Sequence, residues 1–231
     1  MSAFKFKQFN IIQEKSAHKV GTDGVLLGSW VSCKKSNKVL DVGSGSALIT
    51  LMIAQRNLDC SITAIEIDKQ SSLEASLNIK NSNWQDRITI LNTSLQQFRT
   101  QEKFDLIVSN PPFFPKIKSQ ERRDIARHTN TLSFEELIAD STNLLFKEGI
   151  LAVVVPKSEE EVFCKIAKKY KLFCNRSCYI RGNKSSAIKR VLMEFSFVKS
   201  STKKEYLIIE KSRHEYTEDY IQLSKEFYLN M

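Results

Sequence analysis

The chain has 231 residues, of which 42% are hydrophobic and 26% are charged, and these proportions exclude fibrous and intrinsically disordered classes. The longest uninterrupted apolar stretch, 150–155, is six residues long, whereas a helix needs about 20 apolar residues to cross a bilayer. The N-terminal residues contain no apolar segment of the kind found in signal peptides. We therefore expect a cytoplasmic protein without membrane attachment.

The net charge of +9 arises from 35 basic and 26 acidic residues, and the basic residues are unevenly distributed. Between Glu161 and Glu194 there are nine lysines and arginines and no acidic residue. A second basic cluster follows a Pro-Pro turn and contains Lys116, Lys118, Arg122, Arg123 and Arg127. A solvated face is the ordinary explanation of a basic run, but a window of one sign this long favours a nucleic acid partner.

The five cysteines and three histidines are scattered along the chain. The closest cysteine pair, Cys174 and Cys178, has three intervening residues and no nearby histidine, which fits no common zinc or redox spacing. The sequence therefore predicts reduced thiols and no metal site.

Strand-like and helix-like segments alternate up to Tyr170. The predicted strands are short, apolar and rich in β-branched residues, as strands covered on both faces should be. They are Lys38–Val42, Ser61–Glu66, 87–91, Phe104–Ser109 and 150–155. The predicted helices are 47–55, Lys69–Lys80, 134–146 and 159–170, the first three preceded by the N-cap candidates Ser46, Asp68 and Ser133. This alternation predicts a doubly wound, mostly parallel α/β sheet.

The pattern changes after Tyr170, where three strand-like runs, 172–180, 190–198 and 205–210, follow one another without a helix. We expect an antiparallel end to the sheet there, followed by a terminal helix over 216–229. No repeat, low-complexity tract or flexible linker divides the chain. The sequence therefore predicts a single domain over residues 1–231.

The first predicted strand ends in Asp41-Val-Gly43-Ser-Gly45 and leads into a helix. Such a glycine-rich turn lets the backbone approach a ligand closely, and dehydrogenases share it. A dinucleotide-binding loop would have a small third residue at position 48, but this residue is Leu48. The carboxylate of Asp41 would repel a pyrophosphate and attract an ammonium group. The loop therefore favours a ligand with an amino acid moiety, such as S-adenosylmethionine.

Polar residues also follow the next three predicted strands. Glu66 ends the second strand, where a carboxylate can accept hydrogen bonds from both hydroxyls of a ribose. Asp68 is explained more simply as a helix cap. Because ligands of open α/β sheets bind along the carboxyl ends of the strands, we expect one site to contain Asp41, Glu66, Ser94 and Asn110.

The turn after the fourth predicted strand reads Asn110-Pro111-Pro112-Phe113. Two consecutive prolines remove two backbone donors and fix φ, so the turn is rigid and presents free carbonyls. The Asn110 amide oxygen and the Pro111 carbonyl could both accept hydrogen bonds from one planar NH₂ group. Two such acceptors would stabilise positive charge on the nitrogen during methyl transfer, and Phe113 could stack on the flat target. A purely structural turn is the alternative.

The motifs Asp-Val-Gly-Ser-Gly and Asn-Pro-Pro-Phe at this spacing resemble those of class I S-adenosylmethionine-dependent methyltransferases that modify amino groups. The chain is also similar to the tRNA(Val) adenine-N6 methyltransferase family in His18-Lys-Val-Gly-Thr-Asp-Gly-Val-Leu-Leu-Gly28, Arg122-Arg123, Ala126-Arg127-His128 and Lys189-Arg190-Val-Leu. The resemblance covers essentially the whole chain. It implies a class I methyltransferase fold with seven strands, the last antiparallel, and an N-terminal extension, 1–37, that covers the cofactor site.

The resemblance implies S-adenosyl-L-methionine as cofactor and, as substrate, the N6 amine of the adenine 3′ of the anticodon of tRNA(Val). The implied catalytic residues are Asn110, Pro111, Pro112 and Phe113. The implied cofactor-binding residues are Gly21, Thr22, Asp23, Asp41, Gly43, Gly45, Glu66, Ile67, Ser94 and Asn110. The RNA-binding candidates from the basic clusters are Lys116, Arg122, Arg123, Arg127, Lys184, Lys189 and Arg190. A tRNA partner is implied, and neither a metal, a membrane nor an oligomer is required.

Within the implied site, Ile67 packs on the adenine ring of the cofactor, and the loop 21–23 lies over its methionine end. Ala47 stands where relatives usually have a third glycine, which is compatible with a residue that opens a helix. Many class I enzymes offer an aspartate to the adenine amine after the third strand. A hydroxyl or backbone contact from Thr93 or Ser94 is the expected substitute here.

Two other enzyme classes share the Asn-Pro-Pro motif, namely glutamine N5 methyltransferases of release factors and guanine-N2 methyltransferases of ribosomal RNA. The glutamine enzymes usually close the motif with tyrosine and carry a helical N-terminal domain, whereas this chain has Phe113 and about 37 residues before the first strand. A non-catalytic RNA-binding protein is the third alternative. The intact Asp41, Glu66 and Asn110 disfavour it.

Overall fold

The described part of the chain, residues 3–16, 19–112 and 132–231 of a computed structural model, is built around a nine-stranded sheet. The strands are β1 Ala3–Lys5, β2 Asn10–Ile12, β3 Lys38–Val42, β4 Ser61–Glu66, β5 Ile88–Asn92, β6 Phe104–Ser109, β7 Leu145–Pro156, β8 Phe173–Asn183, β9 Ile188–Ser196, β10 Lys203–Ser212 and β11 Glu215–Tyr216. The helices are α1 Thr22–Trp30, α2 Leu48–Arg56, α3 Lys69–Lys80, α4 Phe134–Leu144, α5 Glu160–Lys169 and α6 Glu218–Ser224. Strands β1 and β2 form a separate hairpin.

The large sheet is doubly wound about β3, as predicted. Its strand order is β11-β10-β8-β9-β7-β6-β3-β4-β5. Strands β3 to β7 pair with one another in parallel, whereas β9 is antiparallel to both β7 and β8. The chain leaves β3 toward β4 and β5 and returns on the other side at β6. The carboxyl ends of β3 and β6 therefore form the topological switch point, where ligands of such sheets bind.

The sheet has two more strands than the seven that the resemblance implies, and both are added at one edge. Strand β10 pairs in parallel with β8, and β11 pairs with the end of β10. Tyr216 therefore belongs to a strand, and the terminal helix covers only Glu218–Ser224 instead of 216–229. The Thr217 hydroxyl caps this helix by accepting a hydrogen bond from the backbone N–H of Tyr220 at 3.3 Å, which fixes its start.

The central strands are buried because helices cover both faces of the sheet. In β7, Leu151, Val153 and Val155 pack in a cluster with residues of α4 and α5. Ala152 and Val154, which alternate with them, pack in a second cluster with residues of α1 and α2. All five side chains are fully buried. This double coverage explains why the strand sequence is continuously apolar instead of alternating.

Local capping sets the start of two helices as predicted, and a third differs. Asp68 accepts a hydrogen bond from the Ser71 backbone N–H at the start of α3, and Ser133 forms a capping box with Glu136 at the start of α4. Helix α2, in contrast, is preceded by Ala47 with a left-handed φ of 67° and no side-chain cap. The backbone at this position is therefore of the kind that favours glycine, although the residue is alanine.

The N-terminal segment is anchored on α3 beside the glycine-rich turn. The Glu74 carboxylate accepts hydrogen bonds from the backbone N–H groups of Lys15 and Ser16 at 2.7 and 2.8 Å. The Asn78 side chain bonds the backbone of Ile12 in both directions and donates to the carbonyl of Ser46 at 2.9 Å. These contacts tie part of the predicted N-terminal extension to the turn that follows β3.

Candidate active site

Three strand ends meet at the switch point. Val42 of β3 pairs with Ser109 of β6, and the Ser109 hydroxyl donates a hydrogen bond to the Val42 carbonyl at 2.9 Å. Gly43 and Asn110 are the next residues of these two chain segments, and Glu66 ends the neighbouring strand β4. Since adjacent strands are about 4.8 Å apart, Gly43, Glu66 and Asn110 lie side by side at one edge of the sheet.

Asp41 is a buried carboxylate with only part of its hydrogen-bonding capacity used. Its Oδ2 accepts a hydrogen bond from the Thr50 hydroxyl at 2.6 Å. Its Oδ1 is buried and has no hydrogen-bond partner within the described residues. Burial raises the pKa of Asp41 to about 7, with a smaller increase from the Glu66 carboxylate that the Thr50 hydrogen bonds oppose. A buried carboxylate without a counter-charge is suited to a cationic group on a ligand.

The turn after β3 exposes its backbone toward the same edge. Gly43 and Gly45 have φ values of 70° and 55°, where any side chain would be strained. Within the described part of the chain, no atom lies within 4 Å of the position a Cβ would take at either glycine. A ligand could therefore approach both peptide groups directly.

Glu66 is held in place by two backbone N–H groups. Its Oε2 accepts a hydrogen bond from Gly45 and its Oε1 accepts one from Asp68, both at 2.8 Å. The residue is only 8% exposed. Because each carboxylate oxygen can accept a second hydrogen bond, this fixed side chain keeps the capacity to accept two hydroxyl groups of a ribose.

The loops after β4 and β5 extend the candidate site. Ile67 is 50% exposed although it is apolar, which makes it available to a ring face. The Asn92 amide donates to the carbonyls of Glu66 and Ile67 at 2.8 and 3.0 Å, so it fixes this loop. The Ser94 hydroxyl accepts a hydrogen bond from a backbone N–H three residues on, and the Thr93 hydroxyl donates to the Ser94 carbonyl. Both hydroxyl groups therefore participate in a local turn.

The Asn-Pro-Pro turn holds a buried acceptor. The Asn110 Oδ1 is buried and accepts no hydrogen bond within the described residues. Pro111 is buried and Pro112 is exposed. A buried polar atom without a partner costs roughly 1–3 kcal/mol, and a ligand that donates an N–H to this oxygen would remove the cost. Phe113 lies outside the described residues.

The start of α1 reaches the same edge of the sheet through an ion pair. Gly21 is the N-cap of α1, with an extended backbone, and Thr22 is exposed. The Asp23 carboxylate accepts a hydrogen bond from Arg190 Nε at 2.7 Å. Arg190 lies near the beginning of β9, which is antiparallel, so this end of β9 lies at the carboxyl edge of the parallel strands. The loop 21–23 and β9 are therefore linked at the same edge of the sheet as Asn110, with β7 between β9 and β6.

The remaining RNA-binding candidates fall into two groups. Lys184 and Lys189 are exposed at the turn between β8 and β9, which lies at the same edge of the sheet. Their side chains make no hydrogen bond or ion pair with the part of the chain that the structure describes. The other candidates, Lys116, Arg122, Arg123 and Arg127, lie outside the described residues.

Comparison with known proteins gives matches over the whole chain. Residues 16–176 match the methyltransferase small domain family. A tRNA1(Val) (adenine(37)-N6)-methyltransferase of Flavobacterium psychrophilum is 42% identical over 233 residues, which cover 99% of this chain and 100% of the relative. Proteins of the same name from Bacteroides thetaiotaomicron and Trichodesmium erythraeum are 39% and 43% identical, with at least 97% of each chain covered. The chain belongs to this methyltransferase family.

Solved structures agree with the fold of the methyltransferase. A "predicted O-methyltransferase" of Agrobacterium tumefaciens superposes with a TM-score of 0.70 at 17% identity and covers 89% of this chain and 96% of that one. A methyltransferase of Pyrococcus furiosus superposes with a TM-score of 0.55 at 20% identity, covering 75% and 81%. These similarities show the class I methyltransferase fold.

The residues at the sheet edge fit S-adenosylmethionine, the methyl donor of methyltransferases of this kind. The Asp41 oxygen that has no partner among the described residues suits the ammonium group of the methionine moiety. The bare glycine turn suits close backbone contact, and the fixed Glu66 suits the ribose. Among the described residues, no group of three or more histidine, cysteine or acidic side chains could hold a metal ion. The helices of the described segments include none that is long and apolar enough to span a membrane.

Three polar side chains that support the site of the methyltransferase cannot be identified from the sequence. Thr50 holds Asp41, Asn78 joins the N-terminal segment to the glycine turn, and Asn92 fixes the backbone around Glu66. Each acts through a contact that depends on packing between separate elements. Thr50 and Asn78 lie inside helices, and Asn92 ends β5, but no sequence pattern shows that its side chain donates to the carbonyls of Glu66 and Ile67.

Proposed function

We propose that this methyltransferase transfers the methyl group of S-adenosylmethionine to the N6 amine of adenine 37 in tRNA1(Val). The observation that carries the proposal is the Asn110 Oδ1, which is buried and accepts no hydrogen bond from the described residues. It lies at the carboxyl end of β6, beside the glycine turn and Glu66. Relatives with this activity in their names are about 40% identical over nearly the full length. The chemistry at the sheet edge and the identity of the relatives support the same reaction.

Five residues at the strand ends would hold the cofactor, which when bound supplies an electrophilic methyl group. Asp41 would pair with the ammonium group, and Gly43 and Gly45 would contact the methionine moiety through their backbone. Glu66 would accept the ribose hydroxyls, and the exposed face of Ile67 would cover the adenine ring. Thr50 and Asn92 act indirectly, because they hold Asp41 and the loop after Glu66 in place.

Asn110 would activate the target amine. The lone pair of an adenine amine is delocalised into the ring, so the amine is a weak nucleophile. The Asn110 amide oxygen and the Pro111 carbonyl accept its two N–H groups, and both interactions strengthen as the nitrogen becomes positive. The rigid Asn-Pro-Pro turn fixes these acceptors before the reaction starts. The proton stays on the target nitrogen, hydrogen-bonded to Asn110 Oδ1, until the methyl group has been transferred. The methylated nitrogen is then acidic and releases the proton to water, so no dedicated base is needed.

The turn between β8 and β9 would hold the RNA backbone. Lys184 and Lys189 are exposed there, and the turn lies at the same edge of the sheet as Asn110. Phosphate contacts of this kind position the nucleic acid without reading its sequence.

A pair of transcripts tests the proposed substrate. Purified protein and radiolabelled S-adenosylmethionine are incubated with tRNA1(Val), and with the same transcript in which adenine 37 is replaced by guanine. We expect label in the first transcript and none above background in the second. Equal labelling of both transcripts would show that the methylated position is elsewhere and would contradict the assignment to adenine 37.

A further inference from the structure

Strands β8 and β10 carry an aromatic pair on a face of the sheet that ends beside the candidate site. Tyr206 of β10 is paired with Tyr179 of β8 in the strand register. Their rings stack with centroids 5.3 Å apart and an angle of 25° between the planes. Tyr206 is nevertheless 66% exposed, whereas Tyr179 is only 9% exposed. One face of the Tyr206 ring is therefore covered by Tyr179, and the other is open to solvent.

Tyr179, the buried member of this pair, is held in a fixed position. The Tyr179 hydroxyl donates a hydrogen bond to Glu160 at 2.7 Å, and the Lys157 ammonium lies 5.7 Å from the centroid of the Tyr179 ring. Lys157 also pairs with Glu160. The Tyr206 ring rests on this fixed neighbour with one face and exposes the other face to solvent. It is therefore preorganised for stacking, because little conformational freedom remains to be lost on binding.

The aromatic pair lies level with the Asn-Pro-Pro turn. Ser109 of β6 pairs with Val153 of β7. Val155, two residues further along β7, pairs with Val191 of β9, which pairs with Tyr179 of β8. Tyr179 thus lies at the height of position 111, three strand spacings away across the sheet. At about 4.8 Å per strand, this separation is roughly 14 Å for Tyr179 and 19 Å for Tyr206.

The stacked pair of Tyr206 and Tyr179 is called the platform here. Its surroundings carry positive charge. Arg181 follows Tyr179 on the same side of β8, and Lys204 precedes Tyr206 on the same side of β10. Lys184 lies at the end of β8. In the described part of the chain, none of these three side chains has a hydrogen bond or an ion pair. The Glu160 carboxylate lies beside Tyr179, but both Tyr179 and Lys157 already engage it.

We propose that Tyr206, stacked on Tyr179, is a binding site for an unpaired base of the substrate RNA, with Arg181 and Lys204 contacting the adjoining phosphates. This inference rests on the proposed function, because it assigns a second contact to the RNA whose adenine enters the site at Asn110. Exposed aromatic rings on a sheet face, flanked by basic side chains, bind single-stranded bases in many RNA-binding proteins. The charge of the flanking residues favours a nucleic acid over a second protein.

The test compares three substitutions by measuring the dissociation constant of the protein for the tRNA. Tyr206→Ala removes the ring and is expected to raise this constant about 5- to 150-fold, the range that a stacked base contributes. Tyr206→Trp retains a stacking surface and should bind within a factor of about 3 of the native protein. Phe146→Ala is the matched control, because Phe146 is 42% exposed but lies at the start of β7, away from the platform.

If a base stacks on Tyr206, one further result is expected that a purely structural role of Tyr206 would not produce. RNAs with a single abasic nucleotide are prepared for each position near the target adenine, and each is bound to the native protein and to the Tyr206→Ala variant. At one position, the abasic site and Tyr206→Ala should each reduce the binding free energy, but the two reductions should not add, because both changes remove the same contact.

The outcomes separate this inference from the proposed function. Tyr206→Ala binding within a factor of 2 of the native protein, or additive losses at every abasic position, would overturn the platform. Methylation of adenine by the native protein would leave the proposed function standing in either case. An equal loss in the Phe146→Ala control would likewise overturn the platform, because the effect would then be general.

Discussion

In the proposed reaction, catalysis depends most on the side-chain amide group of Asn110. Asn110→Ala removes the acceptor that would stabilise positive charge on the target nitrogen, and one such interaction is typically worth about 10²-fold or more in turnover. We therefore expect kcat for RNA methylation to fall by at least that factor, with a much smaller change in cofactor affinity. Single-turnover methylation and equilibrium dialysis measure the two quantities.

Asn175 provides a control for the loss of a buried asparagine. Its Oδ1 is also buried and without a partner in the described chain, but the residue lies near the start of β8. Asn175→Ala should lower stability and leave kcat unchanged. If Asn110→Ala retained turnover within about 3-fold, the role assigned to Asn110 in the transition state would be wrong.

Asp41 predicts a pH dependence of cofactor binding. Burial raises the pKa of this carboxyl group to about 7, so the ligand-free protein must release a proton before Asp41 can pair with an ammonium group. Cofactor affinity should therefore increase by up to about tenfold per pH unit between roughly pH 5.5 and 7. An α-amino group, with a pKa near about 7.7–8.0, stays charged throughout this range. Asp41→Asn should flatten the profile measured by titration calorimetry.

The same group affects folding stability with the opposite sign. Since the ordinary pKa of 3.8 lies below the value of about 7 in the folded protein, the unfolded chain loses this proton first as the pH rises. The contribution of Asp41 to the free energy of unfolding therefore decreases from about pH 4 to 7 in the absence of cofactor. The difference in denaturation midpoint between the native protein and Asp41→Asn should follow this trend, and a difference that does not depend on pH would contradict it.

At the scale of elements, a partly buried charge cluster joins α1 to the strands of the extended edge. Arg176 of β8 lies 4.0 Å from the centroid of the Trp30 ring and pairs with Glu205 and Glu194 at 3.1 and 3.4 Å. Arg176→Ala would remove the ion pair of Glu194, which is 6% exposed and would keep only its hydrogen bonds from Ser32 and the more distant charge of Arg56. We expect the free energy of unfolding to fall by about 3 kcal/mol. Denaturation with urea at neutral pH measures this loss.

The pH dependence of stability identifies the partner of Arg176. Burial would raise the pKa of Glu205, but hydrogen bonds from Arg176, Trp30 and Lys203 outweigh it and lower the pKa to about 2. The stabilisation is therefore present above about pH 4.5 and is lost as the pH falls toward 2. Arg176→Ala should weaken this acid sensitivity. An equal loss of stability on acidification in both proteins would show that Arg176 does not hold Glu205.

The elements that the sequence predicts correctly are those encoded locally. The starts of α3 and α4 follow from Asp68 and Ser133, whose side chains cap the next turn. The strands β3, β4 and β6 follow from short runs that are mostly apolar and rich in β-branched residues. The parallel pairing of β10 with β8 could not be predicted, because it depends on which strand is left at the edge after the rest of the sheet has formed. The ion pair between Asp23 and Arg190, which are 167 residues apart, depends on tertiary structure in the same way.

In the candidate site, too, the sequence predicts what is encoded locally and does not predict what depends on tertiary packing. The sequence predicts the shared location of Asp41, Glu66 and Asn110, because all three lie at or just beyond the carboxyl ends of strands that meet at one edge. It does not predict that Asp41 would be fully buried with one oxygen unpartnered, since this depends on α1 and α2 covering the strand. The roles of the individual residues toward cofactor and RNA stay predictions that the variants above test.

At the scale of the whole molecule, the charge distribution predicts how RNA affinity responds to salt. Each phosphate contact contributes about −0.7 to −0.9 to the slope of log affinity against log salt concentration. Lys184→Ala and Lys189→Ala should each make the slope less negative by about that amount. Arg190→Ala should change the slope less, because the Arg190 guanidinium is paired with Asp23. Filter binding at several salt concentrations measures the slopes, and a flat response of the native protein would contradict an RNA-binding surface.

The most direct test of the whole account is the chemical identity of the methylated product. Purified protein and radiolabelled S-adenosylmethionine are offered separately to total RNA and to a protein extract, and the labelled RNA is digested to nucleosides. The arrangement of Asp41, Glu66 and Asn110, together with the family of the chain, predicts label in N6-methyladenosine. Label in N2-methylguanosine would retain the fold and contradict the adenine assignment, and label in protein alone would contradict an RNA substrate altogether.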